Sequence, residues 1–230
     1  MNINILTIFP DIFNVLNSGV VSKAIKQKLI TINLSDIRKN AINKHNQVDS
    51  KPYGGGEGMV MMAEPLIKTI KNINTSKRGH IVYMSPQGTK LNQDKVISLS
   101  KLENLTIICG RYEGIDQRFI DYNEIEEISV GDYILSGGEI ASFILIDACV
   151  RLIPEVLGNS KSLRSESFND YLLEYSQYTK PSIWKKLKVP DVLLTGNHKK
   201  ISDWRLNNSL EKTKKIRPDL YKLFVKEKKR

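Results

Sequence analysis

Three apolar, strand-like stretches of the sequence each end at a glycine or a glycine-containing segment. They are His80–Met84 followed by Ser85–Gly88, Leu105–Cys109 followed by Gly110, and Ile125–Val130 followed by Gly131. Open α/β sheets bind ligands outside the carboxyl ends of their strands, where loops expose backbone groups. We therefore predict a pocket at these strand ends, with walls formed largely by backbone.

Side chains in a familiar catalytic arrangement are not visible in the sequence. It contains no nucleophile elbow, no Cys–His pair and no paired-carboxylate pattern. The three histidines, His45, His80 and His198, are far apart and lack a Cys or His at ligand spacing, which argues against a protein-held metal. A carboxylate, Glu166, lies in a linker-like segment.

A second glycine cluster, Tyr53–Gly58, contains four glycines within five residues. Glycine loses much conformational freedom on folding, so such a cluster needs a reason. It is either a flexible hinge or a backbone segment that closely approaches a ligand or another chain. It is not a phosphate-binding loop, because no Gly-Lys-Ser/Thr follows it and it does not fit G-x-G-x-x-G.

Strands and helices alternate from the start of the chain, which predicts an α/β fold with a mostly parallel sheet covered by helices. The helix Glu139–Leu152 is apolar on almost every side, as is typical of a helix buried at a subunit interface. The other predicted strands are Asn2–Phe9 and Ile30–Ile37, and the other predicted helices are Asp11–Leu29, Ala63–Ile73 and Asn92–Leu102.

The net positive charge is confined to the last quarter of the chain. Residues 171–230 contain 16 Lys and Arg against 6 Asp and Glu, whereas residues 1–170 contain 19 of each sign. This division favours a polyanion-binding module over a solubility tail. From the residues alone, an RNA-modifying enzyme and a nucleic-acid-binding module are equally favoured. We predict a domain at 1–157, a flexible linker at 158–170 and a small, basic, all-helical domain at 171–230. Its predicted helices are Ser182–Leu187, Lys199–Asn208 and Pro218–Lys226.

The remaining sequence features indicate a cytoplasmic protein with no membrane partner. Cys109 and Cys149 lie in apolar runs, as buried thiols of a reducing compartment do. Met1 leads directly into strand-like residues without the basic segment of a signal peptide. No apolar run approaches the roughly 20 residues needed to cross a bilayer.

Six motifs, collinear over nearly the whole chain, resemble those of the bacterial tRNA (guanine-N1)-methyltransferases of the TrmD type. They are PYGGGEGM at Pro52–Met59, YMSPQG at Tyr83–Gly88, ICGRYEGID at Ile108–Asp116, SVGDYILSGGE at Ser129–Glu139, LIPEVLG at Leu152–Gly158 and VPDVLLTGNH at Val189–His198. The family belongs to the SPOUT class. The resemblance therefore implies a C-terminal deep trefoil knot in the first domain, a rare exception to unthreaded folds, and an obligate homodimer.

The resemblance also implies S-adenosylmethionine as the cofactor, held among the loops of the knot largely by backbone groups. It suggests Mg²⁺ as well, although the sequence shows no ligand cluster for it. The implied cofactor-binding residues are Tyr83, Met84, Ser85, Pro86, Gln87, Gly88, Gly110, Arg111, Tyr112, Glu113, Gly114, Val130, Gly131, Asp132, Tyr133, Ile134, Leu135, Gly137 and Gly138.

The reaction implied by the resemblance is methylation of N1 of guanosine 37 in tRNA. Guanine N1 carries a proton, so a general base must remove it, and negative charge then builds on O6. The resemblance assigns the base role to Glu166, where the family has aspartate, and the cation near O6 to Arg151. Asp170 is a substitute for the base, and the alternative role of Arg151 is a salt bridge to Asp147.

The implied partner is the anticodon arm of tRNA, whose target base must be unstacked before methylation. RNA binding is expected to order the linker and assemble the catalytic site. Two other functions share these features: a SPOUT ribose 2′-O-methyltransferase and a non-catalytic RNA-binding protein. Candidate phosphate contacts are Lys185, Lys186, Lys199, Lys200, Arg205, Lys214, Lys215 and Arg217, and candidate stacking residues are Tyr178, Trp184 and Trp204.

Overall fold

The computed structural model describes residues 1–158 and 166–228. The chain divides into two compact units, residues 1–158 (unit 1) and residues 159–230 (unit 2). Residues 159–165, half of the predicted linker, lie outside the described residues, so the linker stays a prediction. No helix in the described ranges is long and apolar enough to cross a membrane.

Unit 1 is built on a five-stranded sheet whose strands are β1 (Asn2–Thr7), β2 (Thr31–Asp36), β5 (His80–Lys90), β6 (Asn104–Cys109) and β7 (Glu126–Ser129). Their order in space is β2-β1-β6-β5-β7, and every neighbouring pair is parallel. The predicted α/β class with a mostly parallel sheet is therefore confirmed. Two further strands, β3 (Asp49–Ser50) and β4 (Val60–Met61), form a separate antiparallel pair.

Helices cover both faces of this sheet. They are α1 (Gly19–Lys26), α2 (Ala63–Lys71), α3 (Thr75–Arg78), α4 (Gln93–Ser100), α5 (Gln117–Tyr122) and α6 (Gly138–Val150), with a 3-10 helix at Ile37–Asn40. Side chains alternate between the faces of a strand. In β6, Leu105 and Ile107 therefore join the core under α1, α4 and α6. Ile108 joins the second core, under α2 and α5.

The predicted single helix Asp11–Leu29 is wrong, because this segment forms two shorter helices. A 3-10 helix spans Pro10–Asn17, and α1 starts only at Gly19. Between them Ser18 is extended (φ −123°, ψ 158°), which breaks the helical hydrogen bonding. Pro10 begins the first helix, since its fixed φ suits a first helical position.

Unit 2 consists mainly of the helices α7 (His198–Ile216) and α8 (Pro218–Glu227), with 3-10 helices at Asn169–Tyr171 and Asp191–Leu194. The prediction of an all-helical domain is wrong, because an antiparallel hairpin replaces the predicted helix Ser182–Leu187. Its strands are β8 (Ile183–Trp184) and β9 (Leu187–Lys188). The two turn residues, Lys185 and Lys186, have φ of 48° and 68°, and two positive φ values define the tight turn that joins twisted strands.

Candidate active site

A cavity of about 270 Å³ lies at the carboxyl ends of β5, β6 and β7, as predicted for this edge of the sheet. Residues 83–87, 110–114, 130–131, 133–135 and 137–138 line it. These are all of the expected cofactor-binding residues except Gly88 and Asp132. Sequence reasoning missed Ile128, Ser129 and Ala141, which also line the cavity. Ile128 and Ser129 end β7, and Ala141 lies in the first turn of α6. Their closeness in sequence to the predicted loop could have indicated that they line the cavity.

The segment Ser85–Gly88, predicted as a loop after the strand His80–Met84, is a bulge within the longer strand β5. β5 runs on to Lys90, and its register against β7 shifts between Met84 and Thr89. Residues 85–87 therefore project into the cavity while the strand continues. Gly88 returns the chain to β7: a Cβ atom there would lie 2.3 Å from the carbonyl carbon of Glu127. Gly88 thus packs against the backbone of β7 and does not line the cavity.

The loop between β7 and α6 comes back across the end of β6. The backbone N–H of Gly138 donates to the carbonyl oxygen of Gly110, with an N···O distance of 2.9 Å. A Cβ atom on Gly138 would lie 2.9 Å from Cα of Cys109. The two backbones can approach this closely only because residue 138 has no side chain. This contact closes one wall of the cavity.

A buried ion pair between Arg111 and Glu139 stabilises the same wall of the cavity. The carboxylate of Glu139 is fully buried; it accepts hydrogen bonds from Oγ1 of Thr7 and Nε of Arg111, both at 2.8 Å. Arg111 also donates to the carbonyl oxygen of Ser136 at 3.0 Å, and its guanidinium lies 4.7 Å from the ring centroid of Phe9. The ends of β1 and β6 and the start of α6 are thus tied together. A buried carboxylate requires this kind of full pairing.

The side chains around the cavity present little titratable chemistry at neutral pH. Burial, reinforced by the negative charge of Glu127, raises the pKa of Tyr83 to about 12, so its hydroxyl stays protonated. Asp132 forms an exposed ion pair with Lys90 at 3.1 Å and is not part of the lining. The charged lining residues are Arg111, which is paired with Glu139, and the exposed Glu113. The site is suited to a ligand bound chiefly through backbone groups.

The two residues expected to act on the substrate belong to different units. Arg151 is the half-buried C-cap of α6 in unit 1, and its N–H donates to the carbonyl oxygen of Asp147 at 3.2 Å. Glu166 is the first described residue of unit 2, where it lines a hollow together with Asp170. The turn that follows is tight, because Phe168 has φ of 79° and donates to the carbonyl oxygen of Leu172 at 2.7 Å.

Neither cysteine takes part in a reactive arrangement. Cys109 and Cys149 are both free and buried, which confirms the prediction of buried thiols. Burial raises the pKa of both thiols, that of Cys149 to about 12. Within residues 1–158 and 166–228, no group of three or more His, Cys, Asp or Glu side chains is placed to hold a metal ion.

Comparison with known proteins identifies the family. Residues 1–223 match the family described as tRNA (guanine-1)-methyltransferase TrmD. The chain belongs to this family. The match covers the whole cavity of unit 1 and nearly all of unit 2, so the resemblance read from the six motifs is confirmed.

Several curated relatives are similar over almost their full length. A tRNA (guanine-N(1)-)-methyltransferase of Ehrlichia ruminantium is 52% identical over 222 residues, covering 95% of this chain and 94% of the relative. Proteins of the same name from Buchnera aphidicola and Clostridium botulinum are 50% and 45% identical. These alignments cover 95% and 97% of this chain, and 84% and 93% of the respective relatives.

Proposed function

We propose that this protein methylates N1 of guanosine 37 in tRNA, with S-adenosylmethionine as the methyl donor. The observation that carries the proposal is the TrmD family match over residues 1–223. The cavity at the ends of β5, β6 and β7 supports it, because its walls are formed by the motifs on which the family resemblance rests. Unit 2, with its excess of basic residues, is the proposed tRNA-binding part.

The cavity suits the proposed cofactor chemically. S-adenosylmethionine joins a neutral adenosine to a positively charged sulfonium, and when bound it supplies an electrophilic methyl group. Backbone N–H and C=O groups at Gly110, Val130 and Leu135 are proposed to bind the adenosine part by hydrogen bonds. The positive charge of Arg111 is already balanced by Glu139, whereas the carboxylate of Glu113 at the cavity wall complements a cationic ligand.

Two side chains are proposed to act on the guanine. The carboxylate of Glu166 accepts the N1 proton, which frees the N1 lone pair for the new N–C bond. The guanidinium of Arg151 stabilises the negative charge that develops on O6 as this proton leaves. Glu166 replaces the aspartate of the family, and its additional methylene moves the carboxylate by roughly an ångström, a distance that matters for reaction geometry.

The assembly of the protein is part of the proposal. Ile140 and Ile144 on α6 are 45% and 43% exposed, and Phe9 and Val15 are 44% and 56% exposed. Exposed apolar side chains of this size suit an interface between two copies related by a two-fold axis.

The contact of Gly138 with Gly110 supports the knot, because it brings the chain after the edge strand β7 back to the end of β6. A requirement for Mg²⁺ and a cytoplasmic location stay predictions.

The test uses S-adenosylmethionine with a labelled methyl group and two tRNA transcripts, one with G and one with A at position 37. Label is expected only in the G37 transcript, as N1-methylguanosine after nucleoside digestion. Label in a ribose 2′-O-methyl nucleoside would support the ribose methyltransferase instead. Binding of tRNA without any transfer would support a non-catalytic RNA-binding protein.

The role of Glu166 is tested with Glu166→Gln, which keeps the shape of the side chain but removes the base. We expect single-turnover methyl transfer to fall by about 10²–10⁴-fold, the usual contribution of a general base, with unchanged affinity for S-adenosylmethionine. Glu166→Asp retains a carboxylate and is expected to lose less activity than Glu166→Gln. Asp170→Asn removes the substitute base in the same turn and is expected to leave methyl transfer nearly unchanged. Full activity of Glu166→Gln would exclude Glu166 as the base.

A further inference from the structure

Another hollow, of about 430 Å³, lies entirely within unit 2, and it shares Tyr175 and Arg205 with the hollow that Glu166 lines. Its volume falls in the range of small-ligand sites, roughly 300–1,000 Å³. Its lining includes the apolar residues Val189, Leu193 and Ile201 as well as Tyr175 and Arg205. Apolar, aromatic and cationic groups around one hollow suit a planar ligand that has polar edges.

Tyr175 and Arg205 form a cation–π pair. The guanidinium carbon of Arg205 lies 4.7 Å from the ring centroid of Tyr175. Arg205 is exposed and forms no ion pair with any residue in the described ranges. A guanidinium held over an aromatic ring keeps its N–H groups available, and arginine recognises nucleobases and phosphates through such groups. A neighbouring lining residue, Tyr178, packs against Trp204 at a centroid distance of 6.2 Å.

The charge around the hollow selects the class of ligand. Residues 171–230 carry 16 basic against 6 acidic side chains, and Lys180 lines the hollow together with Arg205. A second copy of this unit would place like charges against one another, which disfavours it as the occupant. RNA combines negative phosphates with bases that are recognised, when unstacked, between aromatic rings and arginine planes.

We propose that this hollow binds one unstacked base of the anticodon loop other than the guanine that is methylated. The inference rests on the proposed function, since it takes tRNA as the substrate. It assigns Tyr175 and Arg205 as the platform on which the base stacks and Val189, Leu193 and Ile201 as its apolar contacts. The site would hold the anticodon loop in a fixed position beside the hollow that Glu166 lines.

The experiment is a double-mutant cycle between protein and RNA. Arg205→Lys keeps the charge but removes the planar group, and a series of tRNA transcripts each lacks one base of the anticodon loop. We expect Arg205→Lys to weaken tRNA binding about tenfold, within the range that stacking of one base contributes. For one abasic position other than 37, the two losses should not add, because both remove the same contact. Fully additive losses at every position other than 37 would overturn the inference, and so would coupling to position 37 alone.

Two further variants serve as controls. Lys215→Gln removes a charge from the same helix, α7, outside the hollow. It should weaken the binding of all transcripts equally and reduce the salt dependence of tRNA binding, whereas Arg205→Lys should leave that salt dependence unchanged. Leu194→Trp adds bulk at an exposed lining residue and should reproduce the effect of Arg205→Lys. If Leu194→Trp instead changes the sedimentation mass and not tRNA affinity, the hollow is a protein interface and the inference fails.

Failure of this inference can be told from failure of the proposed function. Methyl transfer to G37 by the unmodified protein tests the function. Methyl transfer to G37 together with additive losses in the double-mutant cycle would refute only the proposal that the hollow binds a base. Tight tRNA binding with a non-additive cycle but no transfer would refute the enzyme and keep the hollow.

Discussion

At the scale of single residues, the most constrained group is the carboxylate of Glu139. It is completely buried, and its two oxygens are satisfied by Thr7 and Arg111. The sequence shows Glu139 only as the last letter of a glycine-rich motif. Nothing in its local pattern indicates a partner that is 132 positions away along the chain. The function we assign to it is to hold the cavity wall through Arg111 and Ser136.

Glu139→Gln should lower the free energy of unfolding by about 2–3 kcal/mol. Breaking a fully buried ion pair by removing one partner typically destabilises by about 3–5 kcal/mol, and Arg111 retains 19% side-chain exposure to water. Affinity for S-adenosylmethionine should fall as well, because the loop at Ser136 loses its anchor. Denaturant titration and calorimetry measure the two effects.

The matched control is Lys90→Gln, which removes the ion pair with Asp132. Their side chains are 65% and 87% exposed, and such pairs contribute about 0–1 kcal/mol. Equal losses of stability in both variants would contradict the structural importance assigned to Glu139.

At the scale of elements, the hairpin in unit 2 shows how a turn decides the local structure. Ile183 and Trp184 favour strands, but Lys185 and Lys186 are ordinary helix formers, which is why helical pattern reading failed here. In the folded chain both lysines adopt positive φ, a conformation that is unfavourable for residues with a Cβ atom. Contacts elsewhere in the unit therefore hold this turn in place.

Lys186→Gly should stabilise unit 2 relative to Lys186→Ala by about 1 kcal/mol, because only glycine adopts a φ of 68° without strain. Both variants lose the same charge, so their difference isolates the backbone effect. The two tryptophans of the protein, Trp184 and Trp204, both lie in unit 2. Their fluorescence during denaturant unfolding therefore reports on this unit. No difference between the variants would contradict the turn geometry.

At the scale of the whole molecule, charge is divided between the two units. Residues 1–158 contain 17 basic and 17 acidic side chains, whereas residues 171–230 are strongly basic. A neutral unit suits a small donor bound by backbone groups. A basic unit suits a polyanion, whose binding releases counterions and weakens as salt rises.

We expect the two proposed ligands to respond differently to salt. Between 50 and 200 mM salt, tRNA affinity should fall by at least about tenfold, as expected when several phosphates are contacted. Affinity for S-adenosylmethionine should change less than about twofold over the same range, because this ligand is small and unit 1 carries no net charge. Parallel salt dependence of the two ligands would contradict the division of roles.

Local patterns in the sequence determined the parallel sheet and the cavity at the ends of three strands, and the family motifs named most of the residues that line it. These predictions from local patterns were correct because buried parallel strands are short apolar runs and because glycines mark places where two backbone segments approach closely. The buried thiols were predicted for the same reason. The family followed from six ordered motifs, each of which is contiguous along the chain.

Only the tertiary structure decided which distant groups meet. Gly88 packs against the backbone of β7 instead of lining the cavity, Glu139 contacts Thr7 at the end of β1, and the guanidinium of Arg205 lies over the ring of Tyr175. These contacts join residues 30 or more positions apart, so no local periodicity contains them. Their physical cause is packing: a bulge, a buried carboxylate and a stacked ring are each stable only when the partner supplied by the fold is present.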